Sequence, residues 1–220
     1  MRDRLARARL YLLATSSVSR LPLLDAVAAA IDGGVDAVQL REKDMDEAAF
    51  LELADDLNLL CAAKDVLFIV NDRVEAARLV GADGVHLGQD DVSVREARRL
   101  LGLDPLVGVS THDATELAGA LADGADYVGV GSVFATATKG RDVPVSGPLA
   151  LAPLAARAEA AGVPAFAIGG IVPGNVAEVA AAGFRRVAVS AGVIGADDPL
   201  AAAAAIVAAL TRSAGGRSRS

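Results

Sequence analysis

The 220-residue chain has one cysteine, no tryptophan and only 3% aromatic residues. One thiol, Cys61, excludes an internal disulfide framework and fits a reducing, cytoplasmic setting. It lies in the apolar run 57–63 and reads as the buried face of a helix. No apolar run approaches the ~20 residues needed to span a membrane. The Ala-rich stretch Leu200–Leu210 is about half that length and follows Asp197-Asp198-Pro199, a helix-start signal. Positive charge is in deficit: 21 lysines and arginines face 28 aspartates and glutamates, for a net charge of −7. That balance argues against a nucleic-acid partner, yet leaves room for a local basic pocket that takes a small anion. The apolar stretch Leu10–Ala14 is too short for the core of a secretion signal and reads as a first strand. The two histidines, His86 and His112, assemble no Ser-His-Asp triad or zinc set, and no dinucleotide glycine fingerprint is present.

Short apolar runs rich in Val, Leu and Ile alternate with longer helical patterns. The runs Arg9–Ala14, Ala37–Leu40, Leu67–Val70, Gly84–Leu87, Leu106–Val109, Tyr127–Val130, Ala165–Ile168 and Val187–Ser190 read as strands. Continuous apolar strands suit a parallel sheet covered on both faces. Helical patterns follow at Leu21–Gly33, Asp46–Lys64, Val74–Val80, Val94–Leu101, Ala114–Ala122, Leu149–Ala161, Asn175–Ala182 and Pro199–Thr211. Eight of each, in strict alternation, predict an α/β fold of the (β/α)8 TIM-barrel type over residues 1–212. A polar, Gly/Ser-rich tail over 213–220 reads as disordered. Three similar strings, Gly34-Val35-Asp36-Ala37-Val38, Gly81-Ala82-Asp83-Gly84-Val85 and Gly124-Ala125-Asp126-Tyr127-Val128, read as structural helix-to-strand turns. A homo-oligomer fits such a barrel, although no apolar patch in the sequence specifies one.

Chemistry in such barrels sits where strands run into helices. After the second strand, alternation puts Gln39, Arg41 and Lys43 on one face, so that an amide and two cations meet at the barrel mouth if that face points inward. Inward cations need anions to pair with. The next two strands lead into Asn71-Asp72 and into Gln89-Asp90-Asp91. Asp72 and Asp91 beside two cations suggest a shared site for Mg2+ and a polyphosphate, since Mg2+ is commonly held by one or two carboxylates plus phosphate oxygens. The alternative is that these aspartates cap the following helices, with Asp90 better placed to cap than Asp91. Beyond the fifth strand lie Ser110, Thr111 and His112, and beyond the sixth a long loop carries Thr136-Ala137-Thr138-Lys139, a phosphate cradle in type. Gly169-Gly170 after the seventh strand and Ser190 after the eighth occupy the positions where barrels frequently bind phosphate through backbone N–H groups. His86 lies within a strand and reads as a packed or orienting histidine.

The stretches Gln39–Lys43, Asn71–Arg73, Asp83–Asp91, Gly108–His112, Thr136–Lys139 and Ile168–Ile171 occur in order at strand ends. Together they resemble the thiamine phosphate synthase family over residues 8–211. The resemblance implies a transferase that joins 4-amino-2-methyl-5-(diphosphooxymethyl)pyrimidine to thiazole phosphate, releasing diphosphate and thiamine phosphate by a dissociative route. It implies that Gln39 contacts the aminopyrimidine and that Arg41, Lys43, Asn71, Ser110 and Lys139 hold the diphosphate, with Arg41, Lys43, Ser110 and Lys139 catalytic. It further implies Asp72 and Asp91 as ligands of a Mg2+ cofactor, and Thr136, Thr138, Gly170, Val189 and Ser190 as the thiazole phosphate site. The spacing around the serine of the last strand and the stretch Gly140–Gly147 differ from the usual family pattern. Two other readings share the barrel: a thiazole tautomerase using His112 as acid–base residue, and a non-catalytic thiamine-phosphate-binding barrel. Neither requires the Asp72–Asp91 and Thr-x-Thr-Lys features together.

Overall fold

The computed structural model describes residues 1–136 and 145–215, with side chains through residue 212. Its strands are β1 (Leu10–Ala14), β2 (Ala37–Leu40), β3 (Leu67–Asn71), β4 (Gly84–Leu87), β5 (Leu106–Thr111), β6 (Tyr127–Val130), β7 (Ala165–Ile168) and β8 (Val187–Val189). Each pairs in parallel with the next, and β8 pairs with β1, so the sheet closes in chain order as a (β/α)8 barrel. The helices are α1 (Arg2–Arg7), α2 (Leu23–Asp32), α3 (Glu47–Ala63), α4 (Val74–Leu79), α5 (Val94–Leu101), α6 (Ala114–Ala122), α7 (Pro148–Ala160), α8 (Val176–Ala181), α9 (Ala191–Ile194) and α10 (Pro199–Gly215). Among the described residues no helix is long and apolar enough to cross a membrane.

Strand alternation divides the apolar residues between two cores. Tyr11, Leu13, Ala37, Leu67, Ile69, Leu106, Tyr127, Phe166 and Ala188 point inward and fill the barrel, with Leu5 and Ala8 plugging its lower end. The intervening residues, such as Leu12, Val38, Leu40, Phe68, Val70 and Val128, face the helices and join Phe50, Leu57, Cys61, Leu117 and Ile206 in an outer layer. Cys61 is fully buried there, and burial pushes its thiol up to about 12, so it stays protonated.

The three repeated turns do the same job at the lower rim. Asp36 accepts from the backbone N–H groups of Arg9 and Leu10, Asp83 from that of Phe68, and Asp126 from that of Val107. Each carboxylate thereby satisfies the first N–H groups of a neighbouring strand, which otherwise lack a ladder partner at the sheet end. These turns are structural, as their sequence suggests.

The observed elements depart from the expected ones at a few places. The sequence assigns no helix ahead of β1, yet α1 forms, buries Leu5, and anchors Arg2 on Asp126 at 2.9 Å and on the Leu103 carbonyl at 2.8 Å. Six residues are too short to show a helical period of their own, and the anchor comes from residues more than a hundred positions away. The last helix runs past Thr211 to Gly215, and residues 216–220 of the expected tail lie outside the described residues. Helix α5 is capped by Ser93, whose side chain accepts from the Glu96 N–H in a capping box, and not by Asp90. Ser93 wins because it is the residue that immediately precedes the first helical turn.

Candidate active site

All the strand-end residues singled out above and described in the structure gather at the upper rim. Gln39 is the innermost: it is 1% exposed, and its Nε2 donates to the Tyr11 hydroxyl at 2.8 Å. Two residues on, Arg41 shares its inward face, as alternation predicts. The loop carrying Arg41 and Lys43 is held by Thr15, whose hydroxyl donates to the Arg41 carbonyl at 3.0 Å. It is also held by Arg73, which donates to the Met45 carbonyl at 2.5 Å and lies over the Phe50 ring at 4.3 Å. Sequence reasoning gave Arg73 no role, because its partners lie on another loop.

Asp72 has left-handed backbone, with φ of +59°, and the Arg73 N–H turns back onto the Asn71 carbonyl at 2.6 Å. Asp and Asn tolerate that conformation better than other side chains. The tight turn sends the Asp72 carboxylate toward the Lys43 ammonium, 3.2 Å away. Asp72 caps no helix; Arg73 occupies the position before α4 and makes no side-chain cap. Asp91, just beyond β4, accepts from the Gly88 N–H at 2.6 Å. The Asp72 carboxyl is raised above the ordinary carboxylate range, first by burial and then by the Asp91 carboxylate, which stands within hydrogen-bonding reach; Lys43 opposes this in part.

Two carboxylates converging under one ammonium are a donor set short of positive charge. Among the described residues no cluster of three or more His, Cys, Asp or Glu side chains could hold a metal alone. A pair of carboxylates with open coordination positions fits Mg2+, which takes its remaining oxygens from phosphate and water. Zinc would require further nitrogen or sulfur ligands from the protein.

Two cavities that share lining residues open at the same rim. The larger, of about 280 Å³, is lined by Arg41, Thr136, Gly170, Val189 and Ser190, together with Ser132 and Gly192. Its walls need glycine: a Cβ on Gly170 would lie 2.4 Å from the Ala135 carbonyl oxygen, at a φ of +61°. The Ser190 hydroxyl in this wall is buried and has no hydrogen-bond partner among the described residues. The smaller chamber, of about 20 Å³, sits deeper and is lined by Gln39, Asn71, His86 and Ser110. Leu13, Arg41, Ile168 and Ala188 border both cavities. Thr138 and Lys139 lie outside the described residues.

The two histidines differ. His86 is buried in β4, with Nε2 2.9 Å from the Ser110 hydroxyl and Nδ1 3.3 Å from that of Tyr127. His112 lines neither cavity, and its ring Nδ1 lies 2.8 Å from Glu116 Oε2. Neither of these two cavities supports an acid–base role for His112.

Known proteins resemble this chain over most of its length. The sequence model described as thiamine monophosphate synthase matches residues 10–193. A thiamine-phosphate synthase of Nostoc sp. is 44% identical over 209 residues, which cover 94% of this chain and 57% of that protein. One from Anaeromyxobacter dehalogenans is 50% identical over 181 residues, covering 82% of this chain and 80% of that protein. The chain thus spans little more than half the length of several relatives it matches. Among solved structures, the thiamine phosphate pyrophosphorylase of Pyrococcus furiosus superposes with a TM-score of 0.84 at 32% identity, covering 96% of this chain and 98% of that one.

Proposed function

Because the chain belongs to the thiamine monophosphate synthase family, we propose that it joins 4-amino-2-methyl-5-(diphosphooxymethyl)pyrimidine to thiazole phosphate. The observation that supports this most is the meeting of three features at one rim. These are the Asp72–Asp91 carboxylate pair with Lys43, the chamber lined by Gln39, and the Gly170–Ser190 cavity. A phosphate isomerase or a simple phosphate-binding barrel needs the last of these and not the other two.

In this reading the carbon–oxygen bond between the pyrimidine methylene and the diphosphate breaks first. The bonding electrons leave with the diphosphate, and the thiazole nitrogen then forms the new carbon–nitrogen bond to the methylene cation. Arg41, Lys43, Asn71, Ser110 and Lys139 hold the diphosphate and offset the charge that builds on its bridging oxygen. Preorganised charge of this kind is commonly the largest catalytic contribution. Asp72 and Asp91 hold Mg2+, which when bound supplies further positive charge to the leaving group. Thr136, Thr138, Gly170, Val189 and Ser190 bind the thiazole phosphate and place its nitrogen against the cation, so that proximity takes the place of a general base. The setting is cytoplasmic, consistent with the single protonated thiol, and the partners are the two small substrates; the acidic surface disfavours nucleic acid. Pairing with a second copy fits the barrel.

The test is a product assay with purified protein, both substrates and Mg2+, with and without chelator. Thiamine phosphate formed only with metal is the expected result. Folded protein that binds thiazole phosphate yet forms no product would overturn the proposal.

A further inference from the structure

Five polar side chains form a continuous line across the barrel interior, and all five line the smaller chamber. Gln39 Nε2 donates to the Tyr11 hydroxyl at 2.8 Å, and the Tyr11 and Tyr127 hydroxyls are 2.9 Å apart. The Tyr127 hydroxyl lies 3.3 Å from His86 Nδ1, and His86 Nε2 lies 2.9 Å from the Ser110 hydroxyl. The line crosses β2, β1, β6, β4 and β5 in turn, and every member is buried. Barrel interiors are ordinarily filled by branched apolar side chains. Burying polar groups is costly unless all are paired, and paired networks of this kind fix one arrangement of their members.

Gln39 Nε2 donates to the Tyr11 oxygen, and either hydroxyl of the Tyr11–Tyr127 pair can donate to the other; one of the two directions has Tyr11 donating to Tyr127. In that direction Tyr127 donates to Nδ1 of His86, and the tautomer with its proton on Nε2 donates to Ser110. Both phenols keep the protons this requires: burial raises Tyr11 well above the ordinary phenol range, and burial followed by the neighbouring Tyr11 raises Tyr127. At one end of the line Gln39 Oε1 is buried with no hydrogen-bond partner among the described residues. At the other, a Ser110 hydroxyl that accepts from His86 keeps its own proton to give.

We infer that Tyr11, Tyr127 and His86 are positioning residues whose hydrogen-bond chain presents an acceptor, Gln39 Oε1, at one end and a donor, the Ser110 hydroxyl, at the other. The acceptor recognises a ring amino group, and the donor recognises an anionic oxygen of the diphosphate. This rests on the substrates proposed above. It adds a rule of selection: the site discriminates against a heterocycle with a carbonyl in place of the amino group, because two acceptors would then face each other.

The chain is tested with Tyr11→Phe and Tyr127→Phe. Each removes one hydroxyl and keeps the ring contacts with Phe166, at 5.4 and 5.9 Å between centroids. Inhibition constants are measured for non-transferable analogues of the pyrimidine diphosphate carrying either the amino group or a carbonyl, and for inorganic diphosphate. In the wild type the amino analogue binds at least tenfold more tightly. Tyr11→Phe lowers that preference about tenfold, because the amide is free to turn, and leaves the KM for thiazole phosphate unchanged. Tyr127→Phe touches neither end, yet it lowers the preference and also weakens inorganic diphosphate by about threefold or more. A role confined to stability would lower Tm and leave the preference alone. Wild-type preference in either folded variant overturns the inference, as does a wild type that favours the carbonyl analogue. Absence of thiamine phosphate from the wild-type reaction overturns the proposed function instead, so the two failures are distinguishable.

Discussion

The Lys43 ammonium lies 3.2 Å from the Asp72 carboxylate, yet the Asp72 carboxyl is still raised above its ordinary range, because burial and Asp91 together outweigh the ion pair. One ammonium is too little charge for this pair of carboxylates, and that imbalance leads to two predictions.

Asp72→Asn keeps the left-handed backbone that Asp and Asn both accept and removes the repulsion from Asp91. The metal-free variant is therefore expected to melt about 1–2 °C above the wild type, an effect of the size expected for a single partly exposed side chain. Its turnover with Mg2+ should fall about a hundredfold or more. Calorimetry and a product assay on the same preparation check both. A variant less stable than the wild type and equally active would remove the carboxylate pair from the mechanism.

The pH dependence follows from the same group. A carboxyl whose pKa is higher in the folded than in the unfolded state binds its proton more readily when folded. Metal-free stability therefore contains a gain from Asp72 that is absent well above the raised pKa, appears as pH falls through it, and is complete below the unfolded-state value. The same protonation competes with Mg2+. The rise in Tm caused by Mg2+ is expected to shrink over this window, and in Asp72→Asn to show no pH dependence from this source. Melting curves from pH 7 down to about pH 4.5, with and without Mg2+, make the comparison.

The Ser190 hydroxyl is buried in the larger cavity without a partner among the described residues. Removing an unpaired buried hydroxyl costs no hydrogen bond in the free protein, so Ser190→Ala should leave Tm unchanged or slightly raised. If the hydroxyl binds thiazole phosphate, the KM for that substrate rises about tenfold while that for the pyrimidine diphosphate does not. Equal KM values in variant and wild type would leave Ser190 outside the site.

Gly108 faces the barrel interior opposite Tyr127, and a Cβ there would lie 2.0 Å from the Tyr127 Cζ. Gly108→Ala is expected to destabilise the fold by about 1–3 kcal/mol, the usual range for overpacking. Adding Tyr127→Phe should not restore stability, since the ring remains, whereas Tyr127→Leu should restore part of it. Urea titrations of the single and double variants give the answer.

Most of the architecture was legible because each strand is a short apolar run, several of them preceded by a glycine-containing helix-to-strand turn, and because a one-residue slip would expose it. That Gln39 and Arg41 share a face followed from alternation; that the face points inward is seen only in the closed barrel. What could not be read depends on distance in sequence. The approach of Tyr11 to Tyr127 joins residues in β1 and β6, and local patterning treats both as core aromatics. Arg73 works through carbonyls of the preceding loop, and α1 is held by Asp126. The assignment of a cap to Asp90 was avoidable: Ser93-Val94-Arg95-Glu96 carries the Ser-x-x-Glu capping box in plain view.

The seam between β8 and β1 is stitched like every other pair, and near it the Arg9 guanidinium donates to the Thr211 hydroxyl at 2.8 Å. The start of β1 and the last turns of α10 are therefore neighbours in space. Which strand is made first on the ribosome is then largely arbitrary as far as the finished barrel is concerned. A circularly permuted chain, joined across this seam and opened at exposed Leu103 on the lower rim, would keep the upper rim and its chemistry intact.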